Sequence, residues 1–208
     1  MVIKQNLIFD LDGVILDTDP VMISYVNQKY GIKSVESDYD DFHEMHQIVR
    51  KHLGDYRLSR DDFYDDYRMN FLLSEEWQNQ IEPMPGMCEV MTLAANEYYL
   101  YIATKRSDRT SRTVKMLLDR YIPGLIENVF YAIKFVEGHG HLYQKKKDFI
   151  SGLDGCNVGF FDDSKLEVRE AKDVVPTFLF DPKFKHAEIE GVKSVRGWHD
   201  IAEIFSLT

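Results

Sequence analysis

Near its start the chain carries an apolar run, residues 7–9, that ends at Asp10 and is followed by Asp12 and Gly13. Such a run predicts a buried strand, and alternate residues of an extended chain face the same side. Asp10 and Asp12 are therefore predicted to converge on one ligand where the strand ends. Gly13 allows the backbone to turn away sharply, because glycine adopts positive φ at little cost. The pattern indicates a functional strand end, although a solvated Asp-Gly turn has the same sequence.

From about residue 83 onward, strand and helix patterns alternate. Strands are predicted at about residues 99–103, 128–133, 158–161 and 177–180, and helices at about 87–96, 108–121, 146–152, 165–173 and from 199 onward. This alternation predicts an α/β fold with a parallel sheet covered on both faces. Ligands bind beyond the carboxyl ends of such strands. Asp10, Thr104 and the pair Asp162-Asp163 each follow a predicted strand, so we expect them at one edge of the sheet.

The segment after the first strand is rich in acidic and aromatic residues with helical rather than alternating spacing. A helix is predicted over about Val21 to Tyr30, with Asp19 as N-cap, Pro20 at the first helical position and Gly31 as the stop. A turn cluster containing two prolines and a glycine ends the segment. The sequence therefore predicts two domains, a core formed by residues 1–16 and 83–208 and a mostly helical insertion over residues 17–82.

The formal net charge of −10 at pH 7 argues against long-range attraction to a nucleic-acid polymer or an anionic membrane. No apolar run approaches the roughly 18 residues that a transmembrane helix needs, and the first ten residues lack the apolar region of a signal peptide. Cys88 and Cys156 lie far apart without metal-ligand spacing, so neither a disulfide framework nor a zinc site is indicated. We expect a cytoplasmic protein.

The words FDLDGVILDTD resemble the first motif of the haloacid dehalogenase (HAD) superfamily, whose members are mostly Mg2+-dependent phosphohydrolases. The resemblance implies a Rossmann-like, doubly wound core with a helical cap inserted after the first motif. It also implies that Asp10 is a nucleophile that forms an aspartyl-phosphate and that Asp12 is the general acid/base. Haloacid dehalogenases lack an acid at the place of Asp12 and transport ATPases carry threonine there, so phosphatases and phosphomutases remain.

The segment YIATKR, residues 101–106, resembles the second motif of the superfamily, which ends in serine or threonine. By that resemblance Thr104 hydrogen-bonds a phosphoryl oxygen. Lys105 and Arg106 begin a basic patch and are candidate substrate-binding residues, Arg106 through its planar donor fork. A helix cap, turn residue or solvated helix start would explain the same residues without a function.

The third motif of the superfamily is a single lysine that neutralises charge on the nucleophile and the phosphate. Lys145, Lys146 and Lys147 all compete for this role. Family members commonly place this lysine at a helix start, with apolar residues three and four positions later. Phe149 and Ile150 satisfy that pattern for Lys146, which is our candidate, and the other two lysines are then ordinary surface charges.

The segment GFFDDS resembles the fourth motif in its Asp-Asp form. Adjacent carboxylates beside Asp10 are costly to bring together unless a cation compensates them, and Mg2+ favours oxygen ligands. The resemblance implies Asp163 as a direct metal ligand beside the Asp10 carboxylate and the Asp12 backbone carbonyl, with Asp162 as an outer-shell partner. Glu167 falls where many members carry a second acid, although a helix-surface position is equally compatible with the sequence.

The sequence thus predicts a Mg2+-dependent phosphomonoesterase acting on a small phosphorylated metabolite. The Asp-Asp motif, its short distance from the lysine cluster and the segment LFDP faintly resemble 5′(3′)-deoxyribonucleotidases, which favours a nucleoside monophosphate. The continuation VILDTD is closer to sugar-phosphate and phosphoglycolate phosphatases. A phosphomutase of the β-phosphoglucomutase type and a non-catalytic HAD-like binding protein are the alternatives.

Overall fold

The computed structural model describes residues 4–35, 42–54, 58–137 and 140–207. The chain forms two compact units. The core unit comprises residues 1–17 and 83–208, and the helical unit comprises residues 18–82. No helix in the described ranges is both long enough and apolar enough to cross a membrane.

A seven-stranded sheet forms the centre of the core unit. The described strands are β1 (Gln5–Phe9), β2 (Leu16–Asp17), β3 (Glu82–Pro83), β4 (Tyr98–Ser107), β5 (Ile126–Val136), β6 (Gly140–Tyr143), β7 (Asn157–Asp162), β8 (Thr177–Phe180) and β9 (Lys193–Val195). The sheet has the order β6-β5-β4-β1-β7-β8-β9, and β2 pairs with β3 separately. Its strand pairs are parallel except that β6 runs antiparallel to β5. The predicted α/β class is confirmed.

The described helices divide between the two units. The helical unit contains α1 (Asp19–Tyr30), α2 (Phe42–Leu53), α3 (Arg60–Asp66), a π-helix over Tyr67–Leu72 and α4 (Glu75–Gln78). The core unit contains α5 (Met87–Glu97), a 3-10 turn over Asp108–Thr110, α6 (Ser111–Tyr121), α7 (Lys146–Ser151), α8 (Lys165–Ala171) and α9 (Trp198–Ile204). In the core unit these helices lie between the strands in sequence, which is the alternation that predicts a parallel sheet.

One face of β1 is covered by α7 and α8. Ile8 belongs to a buried cluster with Phe160 of β7, Ile150 of α7 and Ala171 of α8. Because alternate residues of a strand face opposite sides, the neighbours of Ile8 in β1 point to the other face.

The opposite face of β1 is covered by aromatic rings. Phe9 stacks on Phe161 with ring centroids 5.1 Å apart and lies 5.2 Å from the ring of Trp198 in α9. The indole Nε1 of Trp198 donates to the backbone oxygen of Val14 at 2.9 Å. β1 is thus buried on both faces, and the turn that follows it is fixed to α9.

The start of α1 differs from its prediction. Thr18, not Asp19, occupies the N-cap position, and Asp19 is the first helical residue with Pro20 in the first turn. The Asp19 carboxylate lies in the first turn, where the positive end of the helix dipole stabilises it. Gly31 ends the helix with a φ of 65°, which confirms the predicted stop.

Strand β4 is longer than predicted, and this corrects the position of Thr104. Thr104, Lys105 and Arg106 lie inside β4 rather than after it. Beyond Ile102 the strand pairs only with β5, because the register with β1 stops there. β4 therefore continues beyond the end of β1. The sequence does not indicate this extension, because its charged residues lack an alternating apolar pattern. The short strands β6 and β9 were not predicted either, since their exposed residues lack that pattern.

We predict that Trp198→Phe lowers the free energy of unfolding of the core unit by about 1–3 kcal/mol, because the buried carbonyl of Val14 loses its donor. Denaturation in urea, followed by circular dichroism, measures the change. His199→Gln is the matched control on the same helix: its side chain is 85% exposed, so we expect a change below about 0.5 kcal/mol. Equal stabilities of Trp198→Phe and the control would contradict this role of the indole.

Candidate active site

The register of the sheet brings two aspartates side by side. Phe9 of β1 lies opposite Ile102 of β4 and opposite Phe161 of β7. The backbone N–H of Asp10 donates to the carbonyl of Phe161 at 2.8 Å. Asp10 directly follows β1, and Asp162 is the last residue of β7. Both therefore lie at the carboxyl edge of the sheet, where ligands bind in open α/β folds.

Lys146, the first residue of α7, contacts both of these acids. Its Nζ lies 2.7 Å from Oδ1 of Asp10 and 2.7 Å from Oδ2 of Asp162. The contact with Asp162 is a hydrogen bond, whereas the contact with Asp10 is an ion pair without good hydrogen-bond alignment. The Lys146 side chain is only 1% exposed, while the neighbouring Lys145 pairs with Glu170 at the surface. Of the competing lysines, the structure thus brings Lys146 to the acids.

Burial controls the ionisation of this cluster. Removal from water raises the pKa of Asp10 to about 7, against the attraction of Lys146 and with further repulsion from Asp162 and Asp12. Burial also raises the pKa of Asp162. Burial alone would lower the pKa of Lys146, but the attraction of the two acids outweighs it and raises this pKa above its ordinary value. One ammonium group therefore does not fully compensate the buried acids.

A third acid joins the cluster. Asp10, Asp162 and Asp163 each offer a carboxylate oxygen, and these oxygens all lie within 4.8 Å of one another. Gly13 makes room for Asp163, because a Cβ at this position would clash with Oδ2 of Asp163. The φ of 77° at Gly13 also favours glycine. The converging set consists of hard oxygen donors, which is the donor type that Mg2+ prefers.

Asp162 and Asp163 differ in their surroundings. The carboxylate of Asp162 is fully buried, with Oδ1 accepting from the backbone N–H of Ser164 at 2.8 Å and Oδ2 accepting from Lys146 at 2.7 Å. Asp163 is exposed. Because Asp163 is exposed and Asp162 is fully buried, the carboxylate of Asp163 is the more accessible of the two to a cation.

Asp12 is held by Arg106 of β4. The guanidinium donates from Nε to Oδ2 of Asp12 at 2.9 Å and from Nη2 to Oδ1 at 2.7 Å. This is a bidentate arrangement, the strongest geometry for an arginine and a carboxylate. The sequence predicted Arg106 as a substrate-binding residue, and the structure places its donor fork on Asp12.

Lys105 contacts an acid as well. Its Nζ lies 2.8 Å from Oε1 of Glu167 in α8, and the hydroxyl of Tyr143 in β6 donates to the same oxygen at 3.3 Å. The Glu167 side chain is 3% exposed, so a helix-surface position is wrong for this residue. Tyr143 is a contact that sequence reasoning missed, because the exposed strand β6 has no pattern that would place it beside α8.

Thr104 is fully buried in β4. Its Oγ1 accepts a hydrogen bond from the backbone N–H of Arg106 at 3.1 Å. A hydroxyl also carries a donor hydrogen, which this contact does not use. Thr104 therefore has the chemistry of a neutral donor in the strand that also carries Lys105 and Arg106.

The fold and this carboxylate cluster define an α/β protein of the Rossmann-like class whose acids meet at the carboxyl edge of the central strands. The family model of the haloacid dehalogenase-like hydrolases matches residues 7–129, more than half of the chain. The chain therefore belongs to this family and is a hydrolase. Among curated proteins, no sequence matches the chain.

Solved structures resemble the chain over nearly its whole length. The putative HAD-hydrolase YfnB from Bacillus subtilis, bound to magnesium, is 15% identical with a TM-score of 0.65, covering 98% of this chain and 99% of that one. A putative phosphatase from Clostridium difficile is 16% identical with a TM-score of 0.65 and coverages of 97% and 98%. A putative β-phosphoglucomutase from Thermotoga maritima is 17% identical with a TM-score of 0.61 and coverages of 97% and 98%. At these identities the likeness concerns the fold.

We predict that Lys146→Met lowers the free energy of unfolding by about 3–5 kcal/mol, since it leaves Asp10 and Asp162 buried without their shared cation. Urea denaturation in the presence of a metal chelator measures the loss. Lys145→Met is the matched control, because it removes the same charge from an exposed pair and should cost at most about 1 kcal/mol. Similar losses for the two variants would show that Lys146 does not carry the charge balance of the cluster.

Proposed function

We propose that the chain is a Mg2+-dependent phosphomonoesterase that acts through an aspartyl-phosphate on a small phosphorylated metabolite. The observation that carries this proposal is the convergence of Asp10, Asp162 and Asp163 at the strand ends, with buried Lys146 between the first two. A nucleophilic carboxylate divides phosphate-ester hydrolysis into two easier displacements. Membership of the hydrolase family supports the same class of reaction.

The acid cluster fits a Mg2+ ion. Asp163, with its exposed carboxylate, would be a direct ligand beside the Asp10 carboxylate and the Asp12 backbone carbonyl. Asp162, whose oxygens accept from Ser164 and Lys146, would act from the outer shell. When bound, the ion would neutralise charge on the phosphoryl group and on the acids.

The protein residues have separate roles in the proposed reaction. Asp10 attacks phosphorus in line with the leaving oxygen, while Lys146 and the Thr104 hydroxyl stabilise the equatorial phosphoryl oxygens. Asp12 protonates the leaving group in the first step. In the second step Asp12 takes a proton from the water that attacks the aspartyl-phosphate, which regenerates Asp10 and releases inorganic phosphate. Lys105 supports the site through its ion pair with Glu167, and Arg106 supports it through its ion pair with Asp12.

We further propose that the helical unit is the cap of the enzyme, corresponding to an insertion over residues 17–82 in a core of residues 1–16 and 83–208. A cap of this kind excludes water and supplies contacts to the part of the substrate beyond the phosphate. Nucleoside monophosphates and sugar phosphates are the substrate classes to test first, because the sequence words resemble phosphatases of both kinds.

A phosphomutase is the second candidate, and a structure named as a putative β-phosphoglucomutase shares the fold. It would pass the phosphoryl group from Asp10 to a second sugar hydroxyl instead of to water. A panel of sugar phosphates, nucleotides and phosphoglycolate separates the two, since a phosphatase releases inorganic phosphate and a mutase yields an isomer. Turnover of none of these esters would favour a non-catalytic binding protein.

We expect Asp10→Asn to reduce Mg2+-dependent hydrolysis of p-nitrophenyl phosphate by at least about 10³-fold, because the amide is a poor nucleophile. Release of p-nitrophenol gives the rate. Asp154→Asn is the matched control, since it makes the same chemical change at an exposed residue and should leave the rate unchanged. Wild-type activity retained by Asp10→Asn would exclude the proposed nucleophile.

We expect Asp163→Asn to raise the Mg2+ concentration needed for half-maximal activity by at least about tenfold, because a charged oxygen ligand is lost. The thermal shift that Mg2+ produces in the unreacted protein should shrink in parallel, which gives a readout independent of turnover. Asp173→Asn, an exposed aspartate beyond α8, is the control. An unchanged Mg2+ response in Asp163→Asn would argue against a metal ligand at this position.

A further inference from the structure

We infer that Arg106 is a positioning residue that sets the orientation of Asp12, and that it does not bind the substrate phosphate. This role rests on the proposed function, in which Asp12 is the general acid/base. It goes beyond the expectation that Arg106 contacts phosphate, because it assigns the guanidinium to a carboxylate of the protein.

The geometry of the pair supports this role. Two parallel donors, Nε and Nη2 of Arg106, contact the two oxygens of Asp12 at 2.9 and 2.7 Å. A planar fork that holds both oxygens fixes the plane of the carboxylate as well as its position. To bind a phosphate through this fork, Arg106 would have to give up both hydrogen bonds.

Burial of the pair is unequal. The Arg106 side chain is 2% exposed, whereas the Asp12 side chain is 32% exposed. The guanidinium thus lies beneath the carboxylate, which remains open to solvent. In this arrangement Asp12 can reach a leaving group or a water molecule, while the donor fork of Arg106 is directed at Asp12.

The backbone of β4 holds Arg106 in place beside Asp12. Its N–H donates to Oγ1 of Thr104 within the same strand, and β4 is paired with β1, which leads into Asp12. Asp12 itself lies in the turn after β1, where Gly13 has positive φ. A carboxylate in such a turn would adopt several rotamers, and the neighbouring strand selects one of them.

Orientation of this carboxylate affects the rate directly. A general acid/base must lie within hydrogen-bond reach of the proton that it transfers, and a displacement of about 1 Å can reduce a rate about 10²-fold. Loss of Arg106 should therefore lower kcat, while KM changes little because no contact with the substrate is lost. Its effect should also depend on the presence of the Asp12 carboxylate.

A double-mutant cycle tests this dependence with p-nitrophenyl phosphate as the probe. We expect Arg106→Gln to lower kcat by about 10- to 100-fold and to change KM by less than about twofold. In an Asp12→Asn background the same substitution should change kcat by less than about threefold, because it acts through a group already removed. Arg106→Lys should behave like Arg106→Gln, since lysine keeps the charge but loses the fork.

Other results would overturn the positioning role of Arg106. A tenfold or greater increase in KM for Arg106→Gln, repeated in the Asp12→Asn background, would show that Arg106 binds phosphate and overturn the inference. Full activity of Arg106→Lys would overturn it too, because charge alone would then suffice. Circular dichroism verifies folding, and Arg106→Lys replaces Arg106→Gln in the cycle if the latter is unfolded. An inactive wild-type chain would refute the phosphatase proposal itself, whereas an active wild type with additive substitutions refutes only the role of Arg106.

Discussion

The ion pairs of Lys146 with Asp10 and Asp162 are the interaction on which the rest of the site depends. Buried carboxylates one strand apart repel each other, and low-dielectric surroundings strengthen that repulsion. Lys146 can compensate them only because α7 begins at this residue and its apolar residues, such as Ile150, pack against the sheet. The position of the cation is therefore a consequence of the packing of one helix face.

Three cations at this sheet edge, all among the residues that the structure describes, pair with acids of the protein itself. Lys146 contacts Asp10 and Asp162, Arg106 contacts Asp12, and Lys105 contacts Glu167. A phosphate dianion that enters such a site meets positive charge that is already largely compensated, in a chain of net charge −10. This balance is the physical reason why a divalent cation at the acid cluster suits the proposed reaction.

Much of the site could be predicted from the sequence, because the end of a buried strand is marked by residues that are adjacent in the chain. An apolar run followed by an acid locates Asp10 and Asp162 at one edge of the sheet. Lys146 is selected from three adjacent lysines by its resemblance to the third motif of the superfamily, which commonly places its lysine at a helix start. The partners of Lys105 and Arg106 could not be predicted in this way. They depend on β4 continuing beyond the end of β1, and on Tyr143 in a strand whose exposed residues give no alternating signal.

Packing between the neighbouring strands β1 and β7 explains how the fold keeps Asp10 and Asp162 close together. Bringing Asp10 and Asp162 together costs free energy, which the apolar residues immediately before them offset. Phe9 and Phe161 stack on one face of the sheet, while Ile8 and its partners are buried on the other. Since the residue before each acid is fixed by this packing, the backbone positions of Asp10 and Asp162 cannot move apart without exposing aromatic surface to water. The acids therefore stay close together because the hydrophobic core of the central strands holds them there.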